Sequence, residues 1–73
     1  MPMKKNNKAF LTRRQYEALV LLTDGLTNIE AADVLFISVK TFEKHRAEII
    51  RKFGTPNLAL ITKLALKKRL IKL

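Results

Sequence analysis

The sequence predicts an all-α fold, a four-helix domain with short connections. Three observations predict it. Apolar residues recur at three- and four-residue spacing, and no segment sustains the period-two alternation of a strand. Thr12, Thr27, Ser38 and Asn57 each stand where a helix can open, and Gly25 and Gly54 stand where one can stop. The stretch Thr27–Arg51, TNIEAADVLFISVKTFEKHRAEIIR, reads as two helices joined by a tight turn.

Thr12 opens the first helix. Thr12 and Gln15 have capping-box spacing, in which the hydroxyl accepts from a free amide and Gln15 reaches back. Tyr16, Leu19, Val20 and Thr23 recur at helical spacing, and Leu22 widens the stripe. Asp24-Gly25 breaks it, with Gly25 suited to a left-handed C-terminal position. Thr27 and Glu30 repeat the capping box before a short helix over Asn28 to Leu35. After Phe36-Ile37, Ser38 caps a third helix that runs to Phe53 and stops at Gly54. Pro56 disfavours helix at Thr55, and Asn57 caps a fourth helix that runs to Lys68.

Seventy-three residues fit one domain with one modest core. The beginning, MPMKKNNK, is basic and lacks the apolar segment of a signal peptide, so residues 1–9 read as a flexible basic arm. Residues 10–73 form the domain, with the two-helix motif at 28–47. Fifteen Lys+Arg against six Asp+Glu give a net charge of +9, which favours a polyanionic partner through counterion release. Charge alone does not separate DNA from RNA or an anionic membrane. There is no Cys and one His, so neither a disulfide framework nor a zinc site is expected, and no cofactor. Without paired carboxylates in an evident pocket, the chain does not read as an enzyme. No apolar run approaches the roughly 20 residues that cross a bilayer. A cytoplasmic, nucleoid-associated location is the expectation.

The third helix separates into two faces. With about 100° per residue, Ile49 and Phe53 fall within about 20° of Phe42, and Ile50 lies on the flank. That is the core face. Lys40, Lys44, Ala47 and Arg51 lie opposite, with Glu43 on one shoulder. A major groove admits a helix, and each of these residue types has a use there. Lys44 can donate to guanine, Glu43 can accept from cytosine N4, and Ala47 permits close approach. Lys40 and Arg51, nearer the ends, suit phosphates. The competing reading is a solvated face, with Glu43 paired to Lys40 and Glu48 to Lys44 or Lys52.

From Leu11 to Ile71 the chain resembles the LuxR-type (GerE-like) helix-turn-helix family, and its length resembles the small standalone members. The matching pieces are LT-x-R at Leu11–Arg14, E-x-L at Glu17–Leu19 and G-x-T-N-x-E at Gly25–Glu30. They continue with IS-x-KT at Ile37–Thr41, His45, and K-x-G at Lys52–Gly54. The resemblance implies a bacterial DNA-binding transcription regulator whose third helix reads the major groove. It implies base contacts from Glu43, Lys44 and Ala47. It places Thr27, Asn28, Ser38, Lys40, Thr41 and His45 against the DNA backbone, and Arg46 and Arg51 complete that expected set. The wheel reaches the outward residues independently of the resemblance.

Several positions depart from the family pattern. Glu is usual in place of Gln15, Lys in place of Ile29, and a branched aliphatic residue in place of Ala31. Ala31 leaves a void that would cost about 2–5 kcal/mol unless refilled. Phe42 and Phe53, standing where Val and Leu are usual, are expected to refill it. Glu48 replaces a usual Asn, and Leu58 a usual Arg.

The fourth helix is more apolar than a surface helix needs to be. Leu58, Ile61 and Ala65 can face the core, leaving Leu60 and Leu64 elsewhere. The resemblance implies dimerisation through this helix, so Leu60, Ile61 and Leu64 are the expected homodimer interface. The alternative packs the extra leucines against Leu70, Ile71 and Leu73 within one chain. RNA polymerase is a further possible partner. The competing function is a basic amphipathic protein acting mainly through RNA polymerase or a membrane surface, suggested by ITKLALKKRLIKL at the end.

Overall fold

The computed structural model describes residues 10–72, so the expected arm at 1–9 and the terminal Leu73 lie outside the described residues. Four helices follow in order: α1 (Arg13–Thr23), α2 (Asn28–Leu35), α3 (Val39–Phe53) and α4 (Leu58–Lys67). All four open on the residues whose side chains suit an N-cap. Thr12 and Thr27 form complete capping boxes with Gln15 and Glu30, and Ser38 and Asn57 accept from Thr41 and Leu60 amides. No strand occurs among the described residues.

The ends of α1, α2 and α4 share one device. Leu26, Ile37 and Leu70 each donate their amide back to a carbonyl five residues earlier, on Leu21, Ala32 and Ala65. This closure needs a left-handed residue just before the donor. Gly25 supplies it after α1 at φ 94°, Phe36 after α2 at φ 58°, and Arg69 after α4 at φ 61°. The α2–α3 turn is therefore built on a phenylalanine in a conformation that costs a bulky residue about 1–2 kcal/mol.

α3 is the central element, packed against α1, α2 and α4, and α4 also packs on α1. Phe42, Leu19, Ile49 and Ile61 are the largest fully buried side chains. Ala18, Ala31, Ala32 and Ala65 are buried beside them, and their small size allows close helix approach. Phe42 thus sits in the same core as Ala31. Phe53 has a different role: it stands about 16 Å further along α3 and its ring packs edge-on against Phe10, with centroids 5.1 Å apart. Lys68 lies over the Phe10 ring at 4.5 Å.

Two expected placements are corrected. Tyr16, read as part of the apolar stripe of α1, is 43% exposed; the buried positions are Gln15, Ala18, Leu19 and Leu22. A polar residue takes the buried place because its amide finds partners there. Ile61, expected at a dimer contact, is 2% exposed and belongs to the core of its own chain. Leu70 and Ile71 pack against that core as well, half-buried.

Candidate nucleic-acid interface

The left-handed Phe36 turns the chain so that only three residues separate α2 from α3. Ser38 then fixes the start of α3. Its hydroxyl accepts from the Thr41 amide at 3.0 Å and donates to the Thr41 hydroxyl at 2.9 Å. Both side chains stay exposed, beside amides of a helix N-terminus that suits phosphate.

The outer face of α3 is open. Lys40, Thr41, Glu43, Lys44, Ala47 and Arg51 are all exposed. Lys40 and Arg51 stand about 16 Å apart along the axis, roughly the reach of one groove crossing. The surface pairings of the competing reading do not form. Among the described residues the ion pairs join Arg13 and Arg14 to Glu17, leaving Lys40, Glu43, Lys44 and Arg51 without one.

The two flanks of α3 are tied to the other helices. On one flank Arg46 donates to Asn28 Oδ1 at 3.0 Å, joining α3 to the first turn of α2. This contact brings two expected backbone-contact residues together, next to the exposed cap Thr27. Arginine has further donors to offer beyond that bond. On the other flank Gln15 Nε2 donates to Glu48 Oε1 at 3.0 Å, and Lys52 Nζ donates to Gln15 Oε1 at 2.7 Å and to the Phe10 carbonyl at 3.0 Å. The bond from Gln15 holds the Glu48 carboxyl below its usual range; Lys44, His45 and Arg51 add to this, and partial desolvation opposes it. His45 Nδ1 is buried, has no hydrogen-bond partner, and lies 3.9 Å from Glu48 Oε1.

The sequence reading marked Gln15 as a departure from the family pattern but did not name Glu48 and Lys52, its partners on α3. The one available signal was a glutamine at helical spacing from Ala18, Leu19 and Leu22, and that signal cannot name a partner 33 residues away. On α4, Leu60 keeps 40% of its surface exposed and Leu64 is half-buried, so an apolar edge remains there. No helix among the described residues is long and apolar enough to cross a membrane. Those residues also hold no group of His, Cys, Asp or Glu arranged to bind a metal.

Residues 9–65 match the GerE family, described as bacterial regulatory proteins of the luxR family. The chain is similar to the oxygen regulatory protein NreC of Staphylococcus aureus strains JH9, USA300 and MSSA476, each 41% identical over 61 residues. The matched region is 84% of this chain and 28% of each relative, so the chain spans less than a third of the length of these relatives. No solved structure matches it.

Proposed function

The chain belongs to the luxR family of bacterial regulatory proteins, whose helix-turn-helix domain binds double-stranded DNA in transcription regulation, and from that premise we propose that it is a sequence-specific regulator acting as a two-fold dimer. α3 enters the major groove. Lys44, Glu43 and Ala47 meet base edges, and Thr27, Asn28, Ser38, Lys40, Thr41, His45, Arg46 and Arg51 hold the phosphate backbone. The protein acts on the nucleoid, in the cytoplasm.

The observation that carries this reading is the outer face of α3, where exposed Lys40, Lys44 and Arg51 surround an exposed alanine. Charge supplies affinity there, and Ala47 lets the helix axis come close to the bases. A two-fold dimer through Leu60 and Leu64 of α4 would place two such helices about 34–36 Å apart, one turn of DNA.

Selection of bound duplexes from a randomised library, at near-physiological salt, tests the proposal. The expected product is a short motif repeated in inverted orientation. A motif without inverted symmetry would remove the two-fold dimer. Binding at low salt with no enriched motif would remove sequence specificity, leaving only counterion release.

A further inference from the structure

A concavity opens between α2 and the start of α3. Ile29, Glu30, Ala32 and Asp33 of α2 line it, together with Ile37, Ser38 and Val39, and it holds about 390 Å³. Four of these seven residues are apolar. Ala32 is buried, Ile37 and Val39 are half-buried, and Ile29 keeps 69% of its surface in water. So the concavity is apolar within and uncovered at Ile29.

Its charge says what fits it. The two charged side chains that line it, Glu30 and Asp33, are both acidic and both exposed. Glu30 Oε1 accepts the Thr27 amide at 2.9 Å, which uses one of about four lone pairs that a carboxylate offers. Among the described residues neither carboxylate is paired with a cation. Lys40, next in the chain to Val39, makes no such pair either. From Gln15 to Val39 the chain contains no Lys, Arg or His, although the whole protein carries +9. The concavity is thus a negative, apolar site on a positive protein. It repels phosphate and anionic lipid, and it complements apolar side chains with Lys or Arg beside them. A groove between two helices suits a third, whose apolar anchors recur at three- and four-residue spacing.

We propose that this concavity docks a basic amphipathic helix of a partner protein. Its apolar anchors pack on Ile29, Ile37 and Val39, and its cations pair with Asp33 and Glu30. Ser38 lines the same concavity, so the partner sits at the edge of the DNA-reading face. The site needs no DNA and does not depend on the DNA-reading proposal.

The test titrates a monomeric Leu/Lys amphipathic helical peptide, and a Leu/Glu peptide of equal length, into the intact 15N-labelled chain without DNA. The Leu/Lys peptide should give saturable amide shifts centred on Ile29, Glu30, Asp33, Ile37 and Val39, weakening as salt rises. The Leu/Glu peptide should bind at least about fivefold more weakly. Two variants separate charge from apolar contact. The double variant Glu30→Gln, Asp33→Asn should lose at least about fivefold in affinity and most of the salt dependence. Ile29→Gln should also bind more weakly, with the salt dependence kept. Gln still closes the capping box at Thr27, and all three substituted side chains are exposed, so thermal melting should show both variants folded. Neither variant should weaken DNA binding. Shifts centred on the outer face of α3, on α4 or between α1 and α2 would overturn the proposal. So would equal binding of the Leu/Glu peptide, undiminished binding by either variant, or no saturable shift. Self-association of the parent that the double variant abolishes would overturn it as well, because the occupant would then be a second copy of the chain.

Discussion

Gln15 and Glu48, two departures from the family pattern, touch each other: Gln15 Nε2 donates to Glu48 Oε1 at 3.0 Å. The resemblance implies an acid at position 15 and an amide at position 48, and this contact holds the two groups the other way round. Glutamine both donates and accepts, so it can sit between the Lys52 ammonium at 2.7 Å and the Glu48 carboxylate. Glutamate at position 15 would satisfy Lys52 but face a second carboxylate at hydrogen-bond distance. Gln15→Glu should therefore lower the denaturation midpoint at neutral pH, and adding Glu48→Gln should restore most of it. Chemical denaturation of both single variants and the double variant reads the coupling. Additive effects would show that the contact carries none.

The same contact gives an acid limit to stability. The Glu48 carboxyl is held low in the folded chain, chiefly by the Gln15 bond and further by Lys44, His45 and Arg51. A carboxyl lowered on folding contributes stability that is fully present above its unfolded value of about 4.3. That contribution fades as pH falls through the lower, folded value. Thermal melting of parent and Glu48→Gln between about pH 6 and pH 2 should show a shallower acid loss in the variant. Parallel curves would mean that Glu48 has no part in it.

The caps and stops were legible because their chemistry is local. Thr12, Thr27, Ser38 and Asn57 bond amides within three residues, so the sequence alone locates the helix starts. The outer face of α3 was legible for a similar reason, since one helix wheel contains all of it. Long-range placement was not. Tyr16 and Gln15 differ by one position on α1, and only the partners on α3 decide which is buried. Phe36 gave no warning of its left-handed backbone, because glycine is the usual signal for that conformation. Ile61 could be given to the core or to a dimer edge until α4 was seen packed on α1 and α3.

Phe42 is fully buried in the core that also contains Ala31. If its ring fills the volume that Ala31 leaves, shortening it opens a cavity among fixed neighbours. Phe42→Val should cost roughly 2–4 kcal/mol in chemical denaturation. A second substitution, Ala31→Ile, should return part of that loss in the Phe42→Val background while destabilising the parent. A Phe42→Val chain as stable as the parent would end the refilling idea.

The proposed roles on α3 separate by sequence dependence. Lys44 stands near the middle of the exposed face and Arg51 near its end. Lys44→Ala should cost about 1–3 kcal/mol on the selected site and relax preference at one base. Arg51→Ala should weaken all duplexes alike and reduce the salt slope by about one. Repeating the library selection with each variant distinguishes them. The reverse pattern would exchange the two roles and require a different orientation of α3 in the groove.

Leu60 offers the cleanest test of the dimer. It is 40% exposed, whereas Leu64 is half-buried and Ile61 is in the core, so a charge at Leu60 disturbs an interface before it disturbs the fold. Sedimentation of Leu60→Glu should show loss of the dimer mass with helix content unchanged. Its affinity for an inverted repeat should fall toward that for a single half-site, and its base preference should stay that of the parent. Lys44→Ala should do the opposite, altering preference while leaving the mass alone. Equal monomeric masses for parent and Leu60→Glu, with equal affinity for the repeat, would mean that Leu60 and Leu64 are only an exposed edge of a one-chain core.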